Sequence, residues 1–250
     1  MADTRRSDTV DFGFSSVARE EKRLRVRDVF DSVARRYDLM NDLMSLGVHR
    51  LWKRDFVAMM DPRPNRILLD LAGGTGDIGF LWRKRGGGPV LLTDINEQML
   101  GVGRARAEQR GLIGGICFAV ADAESLPVPD RTVDRVSIAF GLRNCTDKDR
   151  VLAEAFRVLK PGGRFFCLEF STLQVAVAAP LYERWSFAAL PAIGERVAGD
   201  RASYQYLAES IRMFPDQDTL AAMMRGAGFA RVAYRNLTGG IAAIHSGWRL

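Results

Sequence analysis

Histidine and cysteine are scarce in this chain of 250 residues: two of the first, His49 and His245, and three of the second, Cys117, Cys145 and Cys167. Two histidines do not make a His-rich metal centre. Three cysteines without Cys-x-x-Cys spacing give neither a disulfide framework nor a zinc site, so no metal is expected. Long apolar runs are missing too. None reaches the ~18–20 uninterrupted residues that a bilayer crossing needs, and Met1 to Asp8 contain no apolar signal core. Charge of one sign is nowhere concentrated, since 30 acids are interspersed among 36 bases. The formal charge of +6 therefore reads as a solvated surface, open to anionic lipid, and not as a nucleic-acid-binding tract. Internal repeats and low-complexity tracts are also lacking. A cytoplasmic protein is expected, resting peripherally on the inner face of the cell membrane where it touches one at all.

What is present is enough apolar sequence, 47%, for one domain with a sizeable core. Its organising stretch runs from Ile67 to Asp77. Ile67-Leu68-Leu69-Asp70 reads as a buried parallel strand ending in a carboxylate. The glycines after it permit a tight turn and let backbone N–H groups approach a ligand. Asp77 then opens a helix whose Ile78, Leu81 and Trp82 point back at the strand. Strand, turn and helix make a nucleotide-type site at the carboxyl end of a sheet.

Gly74-x-Gly76-x-x-Gly79 matches the dinucleotide fingerprint, and Asp94 stands where a ribose-binding acid is expected. Yet Asp70 and Asp77 flank the place where a diphosphate would rest, and like charges that close are costly. A ligand with a positive centre and no phosphate fits better, and S-adenosylmethionine has a sulfonium. A nicotinamide oxidoreductase is the alternative; no Tyr-x-x-x-Lys pair follows the fourth strand to support it. A nucleic-acid methyltransferase would carry Asn-Pro-Pro-aromatic where Gly141-Leu142-Arg143-Asn144 stands.

Along the rest of the chain, residues up to about Glu20 look loosely ordered. Val26, Val29, Phe30, Val33, Ala34 and Tyr37 form one helical stripe, and Val48, Trp52, Phe56, Met59 and Met60 another that stops at Asp61-Pro62. Strands are expected at Val90–Thr93, Ile116–Val120, Val133–Phe140 and Arg164–Phe170. Helices over Gln98–Arg110 and after Thr146-Asp147 separate them, the second ending at Pro161-Gly162-Gly163. Phe229–Asn236 and Ile241–His245 read as an antiparallel pair. The order predicts an α/β, doubly wound, Rossmann-like sheet, mostly parallel with an antiparallel C-terminal strand. Within a single domain over 1–250, residues 1–62 are a helical extension or lid and 63–170 the cofactor-binding core. Residues 171–215 form a substrate-covering helical insertion, and 216–250 the last helix and strand pair.

Asp-x-x-Gly-x-Gly after the first strand, an acid ending the second and Asp122-Ala123 after the third resemble class I S-adenosylmethionine-dependent methyltransferases, with Ala72 where that superfamily carries its first glycine. Longer stretches are more specific. Leu71-Ala72-Gly73-Gly74-Thr75-Gly76-Asp77 resembles the ubiquinone/menaquinone biosynthesis C-methyltransferases. So do Tyr37-Asp38-Leu39-Met40-Asn41-Asp42-Leu43-Met44, His49-Arg50-Leu51-Trp52-Lys53-Arg54 and Phe140-Gly141-Leu142-Arg143-Asn144.

The resemblance implies transfer of a methyl group to a ring carbon of a prenylated benzoquinol or naphthoquinol. It implies cofactor contacts from Thr75, Asp94, Asp122 and Ala123, with Ala139 where relatives often have serine. From the residues themselves, Asp94 suits the ribose hydroxyls and Asp122 the adenine amino group. Asp70 and the turn holding Gly74 and Gly76 suit the methionine end. Arg143 is expected to stabilise a phenolate and Asn144 to orient the hydroxyl, with Tyr37 beside them. The base is not readable here: Tyr37, Asp38, His49, Glu169 or a water on Arg143 all qualify. Further expectations are a prenylated quinol substrate, no nucleic-acid partner, and a homodimer contact or a quinone-biosynthesis complex.

Overall fold

Short apolar runs that alternate with amphipathic helices have one economical solution, a parallel sheet covered on both faces. The computed structural model, which describes residues 9–33, 42, 45, 47–173, 195 and 201–250, has that form. Its elements are β1 (Thr9–Phe12), β2 (Ser15–Ala18), α1 (Arg19–Val33), α2 (His49–Met59), β3 (Leu68–Leu71), α3 (Asp77–Lys84), β4 (Val90–Asp94) and α4 (Glu97–Gln109). There follow β5 (Ile116–Val120), β6 (Val133–Ala139), a 3-10 turn (Leu142–Asn144), α5 (Lys148–Val158), β7 (Leu159–Phe170), α6 (Arg201–Arg212), α7 (Gln217–Gly226), β8 (Ala230–Leu237) and β9 (Ala242–Trp248).

Seven strands form one sheet in the order β5-β4-β3-β6-β7-β9-β8. β3 pairs in parallel with β4 and β6, and β9 lies antiparallel between β7 and β8. The chain leaves β3 for β4 on one side and reaches β6 on the other, so the carboxyl end of β3 is the switch point where a crevice opens. All four residues of β3 are buried, as a strand covered on both faces must be.

Helix ends follow local chemistry. Asn96, Asp147 and Asp216 each accept a hydrogen bond from the backbone N–H three residues on and so cap α4, α5 and α7. Gly111, at φ +64°, stops α4 while Leu112 N–H donates to the carbonyl of Ala107.

Two features depart from the sequence reading, and part of that reading falls outside the described residues. Residues 9–18 are a β-hairpin, with Phe12 opposite Ser15 across the Gly13-Phe14 loop; Gly13 takes a positive φ there, as short hairpin loops demand. Secondly, α5 ends at Val158, three residues ahead of the Pro161-Gly162-Gly163 stop, because Leu159 already pairs with Val133 of β6. Pro161 to Gly163 lie within the β7 run instead, with Gly162 N–H bonded to the Arg249 carbonyl. Finally, Tyr37, Asp38 and most of the expected insertion, residues 174–194 and 196–200, lie outside the described residues. Among the described residues no helix is long and apolar enough to cross a membrane.

Candidate active site

The cleft sits where the topology places it, beyond the carboxyl ends of β3, β4, β5 and β6. It encloses about 1100 Å³, its open mouth included, and is lined among others by Asp70, the glycine turn, Asp94, Asp122, Ala139 and Asn144.

Its tightest part is the turn after β3. Gly74 and Gly76 take φ of +52° and +93°, and a Cβ on Gly76 would lie 2.6 Å from the Phe80 ring, so glycine is required there. Ala72 takes φ +47° as well, a left-handed conformation that costs a non-glycine residue about 1–2 kcal/mol. That is the physical sense of the superfamily's glycine at this position. Opposite stands Gly141, where a Cβ would come within 2.7 Å of the Ala72 methyl; one residue keeps the methyl because the other has none.

Asp94 ties this turn to the next. Its Oδ2 accepts from Gly74 N–H at 2.9 Å and its Oδ1 from Asn96 N–H at 2.8 Å. Burial pushes its carboxyl up to about 6, against those two donors. Asp70 lies deeper. Ser137 Oγ donates to its Oδ1 at 2.6 Å, while its Oδ2 is buried with no hydrogen-bond partner. Desolvation raises Asp70 to about 7. An acceptor held bare beside a ligand cleft suits a cationic donor such as an ammonium.

Asp77 does not play the role its position suggests. Lys53 Nζ and Arg106 Nη2 each reach it at 2.7 Å. Burial alone would raise this carboxyl, yet the two cations hold it down at about 2. Its charge is more than offset, so it does not repel an anion. The remaining cations of the lining, Arg23 and Arg27, also face carboxylates: Arg23 meets Asp122 at 3.0 Å and Glu124 at 3.2 Å, and Arg27 faces Asp31 at 3.8 Å. What disfavours a diphosphate is thus the bare Asp70 oxygen together with Asp94, with every lining cation opposed by a carboxylate.

Helix α1 closes one side of the cleft through contacts no local pattern announces. Arg23 binds Asp122 and Glu124, Arg19 faces Asp147 at 3.6 Å, and Asn96 Nδ2 donates to Asp31 at 2.7 Å. Asp122 therefore has Glu124 N–H on Oδ1 and Arg23 on Oδ2. Ala123 follows it in the lining, and exposed Ile95 offers an apolar face between the Asp94 and Asp122 turns.

At the end of β6 the backbone turns sharply. Phe140 has φ +57° though buried, a strained conformation of the kind that gathers at functional sites. Its ring meets Phe170 at 4.9 Å and Trp52 of α2 at 6.4 Å. The 3-10 turn that follows splits the expected pair. Asn144 lines the cleft, its Oδ1 accepting from Tyr206 O–H at 3.1 Å. Arg143 is buried beneath: its Nη1 bonds Glu169 Oε1 at 2.6 Å and the Phe140 carbonyl at 2.8 Å, and its guanidinium lies over the Phe170 ring. Glu169 is occupied in turn by Arg143 and by Phe170 N–H. In this geometry Arg143 is engaged in an ion pair that anchors the turn.

The site thus brings together Asp70, Gly74, Thr75, Asp94, Asp122, Ala123, Ala139 and Asn144 in one cleft, with Gly76 in its supporting turn and Arg143 below. Tyr37 lies outside the described residues. Arg23, Lys53 and Ile95 were not expected there, and only their exposure to a space between elements reveals them. The donor set fits S-adenosylmethionine: a bare buried carboxylate for its ammonium, a glycine cradle without side chains, and a second carboxylate at the ribose position.

Comparison with known proteins agrees. A family model described as the ubiE/COQ5 methyltransferase family matches residues 16–249. The ubiquinone/menaquinone biosynthesis C-methyltransferase UbiE of Acidiphilium cryptum (strain JF-5) is 80% identical over 250 residues, all of both chains. The protein of the same name from Hydrogenovibrio crunogenus is 53% identical over 243 residues, 96% of each. Among solved structures, a SAM-dependent methyltransferase from Thermotoga maritima superposes with a TM-score of 0.66 at 17% identity, covering 90% of this chain and all of that one; at that identity the likeness is one of fold.

Proposed function

The chain belongs to the ubiE/COQ5 methyltransferase family, and from that membership we propose how its residues divide the work. It is an S-adenosylmethionine-dependent C-methyltransferase of ubiquinone and menaquinone biosynthesis. Its reaction methylates a ring carbon of a prenylated quinol, 2-polyprenyl-6-methoxy-1,4-benzoquinol and/or demethylmenaquinol.

When bound, S-adenosylmethionine supplies an electrophilic methyl group. Asp70 receives the ammonium on its bare Oδ2, and the turn from Ala72 to Gly76, with Thr75, encloses the methionine end. Asp94, already positioned by Gly74 and Asn96, accepts from the ribose hydroxyls, a charge-assisted interaction of roughly 1.5–3 kcal/mol. Ile95 and Ala123 face the adenine ring, whose amino group is received by Asp122. Ala139 contributes shape only. Asn144 orients the quinol hydroxyl, and Arg143 with Glu169 holds the turn that carries it; Arg143 is thus a positioning residue. Much of the rate comes from such placement of two reactants.

The observation that carries this assignment is the pair of carboxylates, Asp94 bound to the glycine turn and Asp70 with a free oxygen, in a cleft whose cations are all opposed. Calorimetry tests it: S-adenosylmethionine binds and NADH does not, and labelled cofactor transfers its methyl to extracted demethylated quinols. NADH binding alone would overturn it.

The prenyl tail argues for contact with a bilayer. Phe14 at the hairpin tip and Leu24 of α1 are both exposed, and the exposed Arg25 and Arg27 share α1 with Leu24. An apolar tip beside bases suits an anionic inner leaflet. Phe14→Ser with Leu24→Ser is expected to reduce co-sedimentation with anionic vesicles while leaving cofactor affinity unchanged.

A further inference from the structure

Asn144 is held at two points, its backbone by the turn and its side chain from α6. Asn144 N–H donates to the Gly141 carbonyl at 3.1 Å, and Arg143 with Glu169 anchors that turn from below. The side chain is fixed by a residue 62 positions away, Tyr206, whose O–H donates to Asn144 Oδ1 at 3.1 Å. Tyr206 is buried, at 4% exposure, and its ring is seated by the N-terminal hairpin. Phe12 stacks on it at 4.2 Å with the planes 17° apart. One turn further along α6, Glu209 accepts from Phe14 N–H at 3.1 Å and clips the same hairpin in place.

The direction of the Tyr206–Asn144 bond decides what Asn144 offers to the cleft. A side-chain amide has an oxygen that only accepts and an NH2 that only donates. With Oδ1 taken by Tyr206, Nδ2 has no hydrogen-bond partner among the described residues, and Asn144 lines the cleft. With the amide turned over, Nδ2 would donate to the phenol oxygen. The phenol hydrogen has no second acceptor among the described residues, so it would then be buried unsatisfied, the costlier state. Burial raises the Tyr206 phenol above its ordinary pKa, opposed by the Arg143 charge and helped by Cys145 and Glu169. Tyr206 therefore keeps its proton and stays a donor.

We propose that Tyr206 is a positioning residue for methyl transfer: it locks the Asn144 amide so that the N–H groups, and not the carbonyl, face the quinol oxygen beside the reacting carbon. This rests on the methyltransferase reading above and deepens it. A donor fixed in that place stabilises the oxygen more as it gains negative charge than it does as a hydroxyl. That charge is what makes the neighbouring ring carbon nucleophilic. Asn144 is accordingly no proton acceptor; it lowers the pKa of the bound quinol. Phe12, pressed against the Tyr206 ring, ties the hairpin to the substrate side of the cleft.

Tyr206→Phe keeps the ring and its stack on Phe12 and removes one oxygen. It is expected to melt near the wild type and bind S-adenosylmethionine within about twofold, yet to lose on the order of 10-fold in turnover at neutral pH. The KM for the quinol stays nearly unchanged. The deficit shrinks as pH rises towards the quinol's own ionisation, a dependence that a merely structural bond would not give. Asn144→Ala is expected to lose on the order of 10²–10³-fold, and adding Tyr206→Phe to it costs nothing more, because the phenol acts through the amide. Asn144→Asp, with an acceptor in place of the donor, falls at least as far as Asn144→Ala. Turnover of Tyr206→Phe within threefold of wild type, a deficit independent of pH, losses that add in the double variant, or an Asn144→Asp enzyme as active as wild type each overturns the proposal. So does a melting temperature or cofactor affinity that falls in step with the rate. A wild-type enzyme that transfers no methyl to any quinol instead refutes the reading beneath it.

Discussion

Asp94 and Arg143 lie at opposite ends of a range of visibility. The place of Asp94 was legible because its contacts are local: it is an acid at a strand end next to a glycine turn, and its oxygens accept from Gly74 and Asn96. Asp94→Ala removes the acceptor for Gly74 and Asn96 and, on the proposed function, the one for the ribose. Cofactor affinity is expected to drop by about 10–100-fold, the equivalent of a charge-assisted hydrogen bond, as read by calorimetry. The partner of Arg143 was not legible, because Glu169 lies 26 positions away and no local pattern couples them. Asp77 was misread for the same reason, its two cations being 24 and 29 positions distant. The Arg143–Glu169 pair is nearly inaccessible, at 1% for each side chain. Glu169→Gln leaves a buried guanidinium without a counter-charge, which costs about 3–5 kcal/mol, and denaturant unfolding should show it. Adding Arg143→Met to that variant is expected to recover much of the stability. Turnover should stay low while cofactor affinity is kept, since the turn that presents Asn144 has lost its anchor.

Among elements, α2 and α3 are joined by the Lys53–Asp77 bond and α1 by a set of polar clasps. Lys53 is buried along with His49 and Trp52 on one helix face, and its Nζ is held by Asp77. Lys53→Met keeps the apolar stem, yet Asp77 then retains only Arg106. The expected result is a loss of about 1–3 kcal/mol by chemical denaturation, together with weaker cofactor binding as the start of α3 loosens. The strands were legible because their runs are short, apolar and bounded by turn residues. The 9–18 hairpin was not. Thr9 to Ala18 is half polar, and its pairing depends on one glycine turn whose meaning appears only once Phe12 stacks on Tyr206, at 4.2 Å.

For the whole molecule, two carboxylates held above their usual range set a pH dependence. Asp94 and Asp70, at about 6 and about 7, bind protons more readily folded than unfolded. They favour the folded state fully below about pH 4, and this is lost as pH rises through 6 and 7. Asp77 and Asp42, held at about 2, act with the opposite sign but only between about pH 2 and 4. Ligand-free protein is thus expected to gain stability from these two groups as pH falls from 8 to 5. Asp70→Asn should flatten that slope in denaturant titrations at each pH. Cofactor affinity should run the other way and weaken below about pH 7, as Asp70 and then Asp94 take up their protons.

The strap that α1 lays across β4, β5 and α5 is made of charges in partial contact with solvent, Arg23 at 39% and Asp122 at 28%. Such pairs are screened when salt is added. Residence time of the nucleoside should accordingly shorten with ionic strength in stopped-flow displacement, and Arg23→Gln should be fast and salt-insensitive. Release of the spent thioether is in this sense expected to be throttled by a clip of counter-ions, with ionic strength as one of its controls.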